Sequence, residues 1–250
     1  EIMQAVLSRE VSFKGNFDPF TLYRALRLIN PSPYMSFFDF GSWYLIGSSP
    51  EVMVKAERDK NDRIVASLRP IAGTRPRGKD LNEDNQLAKD LLNDPKEISE
   101  HVMLVDLGRN DLGRVCQPGS IKVPQLLALE SYSQVHHLTS VIKGKLITNK
   151  TWVDLLEACW PGGSVTGAPK LRACKRLYEL EPTARGPYCG SILNINWDGI
   201  FDSNILIRSL MIKESSITAH AGCGIVADSN SKKEAEEMNW KLMPLLNALT

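Results

Sequence analysis

The order of the hydrophobic patterns constrains this chain most. Strand-like stretches come in adjacent runs, and helical spacing appears between the runs, not after every strand. Helical spacing covers 19–29 (PFTLYRALRLI), and NPSPYM at 30–35 breaks it. Strands are predicted at Ser36–Phe40, Trp43–Ser48, Val52–Ala56 and Arg63–Leu68, followed by helices at 82–92 and 95–114. Strand signals return at 121–123 and 139–147, and helices at 151–159 and 168–180. Strands at 189–197, 201–213, 216–220 and 224–227 precede a final helix at 231–248. Hairpin-like runs of this kind predict a mixed α+β architecture, because a doubly wound sheet needs strict strand–helix alternation. The opening EIMQAVLSREV reads as an amphipathic segment already under way, so residues 1–250 are expected to be one domain from the C-terminal part of a longer chain.

At 250 residues and 43% hydrophobic content, the chain suffices for one large domain or two small ones. A formal net charge of +1 implies no strong field of one sign, so neither nucleic acid nor a membrane surface is an expected partner. No apolar run approaches the ~18 residues that span a bilayer, and the opening residues carry no secretory signal. Cys116, Cys159, Cys174, Cys189 and Cys223 are odd in number and have no CxxC spacing. That excludes a disulfide framework or a zinc site and fits a reducing cytoplasm.

Two predicted helices open with the same chemistry. In DPKEISE at 94–100, Asp94 is placed to cap, Pro95 suits the first turn, Glu97 falls at the capping-box position and Glu100 lies one turn on. In SKKEAEE at 231–237, Ser231, Glu234 and Glu237 repeat that logic. Capping accounts for Glu97 and Glu234 as well as ligation does, but it leaves Glu100 and Glu237 without a reason. If the two helix starts face each other, their carboxylates make a hard-oxygen site suited to Mg²⁺.

A glycine-rich turn, PGGSVTGAPK at 161–170, runs into a helical stretch. Such a turn either presents backbone N–H groups and a positive dipole end to an anion or is a tight turn capped by Thr166. It is not a nucleotide-phosphate loop, because Ala168 stands in the lysine position. Gly222 and Gly224 in AGCGIVADS at 221–229 either admit a ligand close to the backbone or form a bend between strand and loop. Arg208 and Lys241 are, singly, surface charges. With the glycines they would hold a dianion, Arg208 bidentate to a carboxylate.

His136 and His137 stand as VHHL in an apolar stretch, and on a strand one ring would face the core and the other away. Glu51 follows SSP at the entry to strand-like VMV. It is either a solvated turn residue or, if buried, a carboxyl of raised pKa able to donate a proton.

The carriers of a family resemblance are SSPE (48–51), PIAGTRPRG (70–78), SEHVMLVDLGRNDLGRV (99–115), VHHL (135–138), PGGSVTGAPKLRA (161–173), IRSL (207–210) and GIVADS with the Glu-rich last helix. Through them the sequence resembles the chorismate-utilising enzymes along essentially its whole length. The resemblance implies two stacked antiparallel β-sheets flanked by helices, with the ligand between the sheets beside Mg²⁺. It implies Glu100 and Glu237 as metal ligands, with Glu97 and Glu234 as outer or alternative ligands. Glu51 resembles the general acid that protonates the departing 4-hydroxyl, and His137 the active-site histidine near it. Tyr188, Arg208, Gly222, Gly224 and Lys241 resemble the positions that hold the two chorismate carboxylates, while Thr166 and Gly167 match the loop beside the ring. NPSPYM resembles a wall of the tryptophan feedback site of anthranilate synthases.

Within the family, PGGSVTGAPK, VHHL and YCGS (188–191) resemble the aminodeoxychorismate synthases, so the expected reaction is Mg²⁺-dependent amination of chorismate at C4. Ala72 in PIAGT points the other way, since many members of that branch carry a lysine there that adds at C2. The alternatives are an anthranilate synthase component I, with ammonia at C2 and loss of pyruvate, and a non-catalytic or truncated chorismate-binding fragment. Either amination implies ammonia from a separate glutamine amidotransferase subunit, because no cysteine here lies in a Gly-x-Cys-x-Gly elbow. Cys223 in AGCGI comes nearest.

Overall fold

A computed structural model of the chain describes residues 1–132 and 135–249. The opening segment is a strand, β1 (Gln4–Lys14), followed by α1 (Pro19–Ile29), whose cap Asp18 accepts the Thr21 N–H at 2.7 Å. Next come β2 (Tyr34–Asp39), β3 (Tyr44–Ser49), β4 (Val52–Arg58), β5 (Ile64–Leu68) and β6 (Ile71–Pro76). Helices α2 (Leu81–Asn93) and α3 (Pro95–Gly113) lead to β7 (Lys122–Ser131), β8 (Val135–Lys145) and α4 (Trp152–Cys159). The chain continues with β9 (Gly167–Ala168), α5 (Lys170–Leu180), β10 (Ser191–Ile195), β11 (Phe201–Ile205), β12 (Ser209–Lys213), β13 (Ser216–Ile225) and α6 (Ser231–Asn247).

Among the described residues there is a six-stranded sheet of order β2-β3-β12-β13-β1-β9 and a seven-stranded sheet of order β10-β11-β4-β5-β8-β6, with β7 also on β8. β1 pairs antiparallel with β13 and β9, β12 with β13 and β3, β2 with β3, β5 with β4 and β8, and β8 with β6 and β7. The α+β class with two antiparallel sheets and helices is therefore as expected. The differences lie in irregular strands. β6 went unpredicted because Gly73, at φ +81°, bulges it between Ala72 and Thr74. β7 was foreseen only at its start, because two register shifts and Leu127 at φ +51° break its alternation. The stretch 201–213 is two strands, turned at Arg208 with φ +50°. The pieces at 216–220 and 224–227 belong largely to one strand, β13.

The chain forms two compact units. One contains Glu1–Glu51, Val165–Ile192 and the described chain from Asn204 onward, and the other contains Val52–Ser164 and Leu193–Ser203. In the first unit, alternate residues of β13 (Ile217, Ala219, Ala221) pack with Ile46, Leu210 and Ile212 against Leu22 and Leu26 of α1 and Leu242 and Leu245 of α6. That alternation is the period of a sheet covered on one face by helices. In the second unit, α3 closes on the sheet at Gly108, where a Cβ would stand 2.6 Å from Ile142 Cδ1 and 3.1 Å from Leu68 Cδ1.

Three imidazoles are buried, those of His101, His136 and His220. His101 Nδ1–H donates to the Ala72 carbonyl (3.3 Å) and its Nε2 accepts from the Ser140 hydroxyl (2.7 Å), whose oxygen in turn accepts the Leu127 N–H (2.9 Å). Burial lowers the His101 pKa, the Ala72 carbonyl opposing. Burial lowers that of His220 too, with Glu10 opposing.

Gly108→Leu is expected to lower unfolding free energy by about 2–3 kcal/mol through overpacking. Urea midpoints read it, and an unchanged midpoint means α3 does not rest on the sheet there. At His101 and His220, the unfolded chain takes up protons that the folded chain refuses. Their contribution is thus complete above the ordinary value of 6.5 and is lost as pH falls toward the depressed folded value. The urea midpoint should drop between about pH 7.5 and about pH 5.5, and drop less in His101→Gln. Equal drops in parent and variant would remove His101 from the account.

Candidate active site

In the first unit, the β1–β13 ladder sets Gly222 opposite Ser8 and Gly224 opposite Val6. Both glycines lie inside the strand, so the bend considered from sequence is not what forms. A Cβ on Gly222 would stand 2.9 Å from Leu7 O and 3.1 Å from the Tyr188 hydroxyl, so β1 and Tyr188 leave room for glycine alone. Lys241 Nζ donates to the Gly222 carbonyl (2.9 Å) and pairs with Glu237 (2.6 Å). Tyr188, Gly222, Glu237 and Lys241 thus form one group. Burial pushes the Tyr188 phenol well above its ordinary pKa, which keeps it a neutral O–H donor. Its ring stacks on His220 with centroids 5.3 Å apart.

The cap of α6 is Asn230, not Ser231, because the Asn230 side chain accepts the Lys232 and Lys233 N–H groups (3.1 and 3.2 Å). Glu234 therefore stands one residue past the capping-box position. It is 5% exposed and accepts from the Ser229 hydroxyl at 2.8 Å.

The glycine loop is tied to the free edge of β1. β9 pairs Gly167 with Ala5 and Ala168 with Gln4, and the Val6 N–H donates to Thr166 O at 2.9 Å. Gly167 has φ +127°, and a Cβ would meet Gln4 O at 2.1 Å. Thr166 is buried and is not the cap residue of α5. The edge of β1 captures its backbone first, and α5 starts only at Lys170, with Pro169 in the cap position.

A second group in the same unit surrounds Glu51, which is 7% exposed. Its N–H donates to Ser49 Oγ (3.3 Å) and its carbonyl accepts the Ile205 N–H (3.0 Å). The solvated-turn alternative is thereby removed. Burial pulls the Arg208 guanidinium below its usual pKa, with the Glu51 charge opposing. Arg208 Nη1 reaches Asn30 Oδ1 of NPSPYM at 3.5 Å, and its carbonyl accepts the Ser48 N–H at 3.0 Å. A non-glycine residue in the left-handed region costs energy, and such residues cluster where side-chain aim matters.

In the second unit, Asp94 caps α3 as expected, accepting the Lys96 and Glu97 N–H groups (2.9 and 3.3 Å). Glu97 leaves the capping box. Its carboxylate pairs with Arg75 of β6 at 3.0 Å, and Arg75 also holds Asp94 at 2.7 Å. Glu100 sits half-buried one turn on. His137 faces the β6 bulge, its Nδ1 3.3 Å from Gly73 O and 2.9 Å from Thr74 Oγ1. A carbonyl only accepts, so Nδ1 carries a proton. His136 points the other way, bound to Asp84 (3.0 Å) and the Ser131 hydroxyl (2.7 Å), and is structural.

Among the described residues, no three His, Cys, Asp or Glu side chains gather into a metal cage. The carboxylates of α3 and α6 are nevertheless hard oxygen donors of the kind Mg²⁺ takes, one or two with water and an anionic ligand. Sequence reasoning missed His101 and Arg185. Each is an ordinary helix or loop residue until the fold buries it.

The model of the family described as chorismate binding enzyme matches residues 1–247. Anthranilate synthase component 1 of Synechocystis is 55% identical over 254 residues, covering 100% of this chain and 50% of that protein. Its counterpart from Acetivibrio thermocellus is 47% identical over 249 residues, covering 100% and 49%. The crystal structure of anthranilate synthase component I from Streptococcus pneumoniae superposes with a TM-score of 0.88 at 42% identity, over 98% of this chain and 53% of that one. The menaquinone-specific isochorismate synthase of Escherichia coli gives 0.88 at 26% identity, over 100% and 57%. The chain thus spans about half the length of the curated relatives it matches. These relatives carry the anthranilate synthase name, so the ranking that put the aminodeoxychorismate branch first is corrected. With that match running from the first residue to the last helix, the chain belongs to the chorismate binding enzymes.

Proposed function

We propose that the chain carries the chorismate chemistry of an anthranilate synthase component I, with amination at C2. The observation that carries this reading is the 55% identity to a protein of that name across 100% of the chain. Ala72 supports it. This residue sits on β6 opposite Leu138 of β8 and offers a methyl group where a lysine nucleophile would otherwise occupy C2, so C2 is left to ammonia.

In this reading Arg208, Tyr188, Lys241 and the backbone at Gly222 and Gly224 hold the substrate carboxylates, and Thr166 and Gly167 border the ring. Ammonia forms the C2–N bond as the ring double bonds shift and the C4–O bond breaks. Glu51 gives its proton to the departing hydroxyl, which leaves as water. Loss of the C2 proton and cleavage of the bond from C3 to oxygen then release pyruvate and leave an aromatic ring. His137 is the candidate active-site histidine of the second unit. Glu234 and Glu237 on α6, and Glu97 and Glu100 on α3, are each carboxylates that would suit Mg²⁺, which would supply positive charge for a substrate carboxylate.

Ammonia would come from a separate amidotransferase subunit. Burial pushes the Cys189 and Cys223 thiols up to about 12 and the Cys116 thiol up to about 11, the reverse of what a glutaminase nucleophile needs. No helix among the described residues is long and apolar enough to cross a membrane.

With chorismate, Mg²⁺ and excess ammonium at alkaline pH, mass spectrometry should find anthranilate and pyruvate. A product that keeps the enolpyruvyl group and bears nitrogen at C4 would overturn the C2 reading in favour of the aminodeoxychorismate branch, whose glycine-loop spelling this chain shares. Chorismate should also raise the melting temperature only when Mg²⁺ is present. If Glu100→Ala and Glu237→Ala both keep that shift, the proposed metal ligands are wrong.

A further inference from the structure

We propose that the buried pair Glu181–Arg185 is a positioning clamp that sets the glycine loop and Tyr188 for the substrate, resting on the reading above. Every N–H of the Arg185 guanidinium is committed. Nε and Nη2 grip the Glu181 carboxylate (2.8 and 2.6 Å), and Nη2 also donates to Val6 O (2.6 Å). Nη1 donates to Val165 O (2.7 Å) and to Cys189 Sγ (3.3 Å). Glu181 Oε1 accepts in addition the Ser8 N–H and hydroxyl, both at 2.9 Å. The side chains are only 8% and 16% exposed, so these bonds meet little competition from water. Burial alone would push the Glu181 carboxyl up and the Arg185 guanidinium down. Their mutual bonds reverse both shifts, which marks a charged pair.

The partners of the clamp are the neighbours of the candidate site. Val165 precedes Thr166 and Gly167, and Cys189, at φ +67°, follows Tyr188. Val6 carries both connections, its N–H donating to Thr166 O and its carbonyl accepting from Arg185. The guanidinium also lies 5.8 Å over the Tyr188 ring. With no N–H left for a ligand, Arg185 acts through its neighbours. Lysine keeps the charge but has three donors on a flexible stem and cannot reproduce a five-donor planar fork.

The test is Arg185→Lys in the full chain, with Arg176→Lys on the exposed face of α5 as control. Amide hydrogen exchange in residues 163–169 and 186–190 should speed about tenfold or more without ligand, with α6 unaffected. The chorismate KM should rise about tenfold with kcat within about threefold, because the held groups bind ground and transition states alike. Local exchange equal to the parent's overturns the clamp whether or not chorismate binds. A parent that binds chorismate together with a variant of equal KM overturns it too. Faster exchange in the variant while the parent shows no chorismate binding upholds the clamp and removes the functional reading instead. If Arg185→Lys does not fold, Glu181→Gln, which removes only the charge, must show the same local exchange pattern or the clamp is wrong.

Discussion

β1 bonded along both edges is the arrangement on which the rest of the first unit depends. One edge pairs with β13 from Ala5↔Ile225 to Lys14↔Ser216, and the other takes Gly167 and Ala168 of β9. Closing so long a loop costs entropy that grows only slowly with its length. The ladder and the apolar face that packs on α1 and α6 offset that cost. Through this strand, the glycine loop and the glycine strand are each held against backbone at distances no side chain would allow. Gly167 and Gly222 are glycines because of β1.

The charges near the candidate site are organised by partnership. Arg185 answers Glu181, Lys241 answers Glu237, and Arg75 answers Glu97. These pairs differ in worth. The Glu237–Lys241 pair is nearly half-exposed and contributes little to stability, whereas removing one partner of a buried pair costs about 3–5 kcal/mol, because the other charge is left uncompensated. A carboxylate whose cation is loosely held is the better one to offer a second cation, which suits the role proposed for Glu237.

Regular elements were legible and irregular ones were not. PFTLYRALRLI is α1 to the residue, and Asp94 with Pro95 opens α3 as its spelling predicts, because capping and helical period are local physics. β6 and β7 were hidden because a bulge at Gly73 and register shifts beside Leu127 destroy the period-two signal. Ser231 was read as a cap because it matches the capping-box spacing. Asn230, one residue earlier, makes the actual bonds, and serine against asparagine is nearly degenerate at that position. The spelling of the glycine loop ranked the aminodeoxychorismate branch first, whereas the relatives carry the anthranilate synthase name, the direction in which Ala72 pointed.

What the sequence by itself determined is chemistry and class. The hairpin-like runs implied an antiparallel α+β fold, and the motifs carried the family and most of the candidate residues. Only the tertiary structure decided which of those residues are buried, which share a neighbourhood and which are spoken for. His136 and His137 are adjacent in sequence, yet one is structural and the other faces the bulge, because a strand sends neighbours to opposite faces. Glu181 and Arg185 stand four residues apart, and nothing in the local sequence marks them. Their importance comes from carbonyls at Val6 and Val165, to which long-range pairing brings them, and no local pattern encodes a partner that distant.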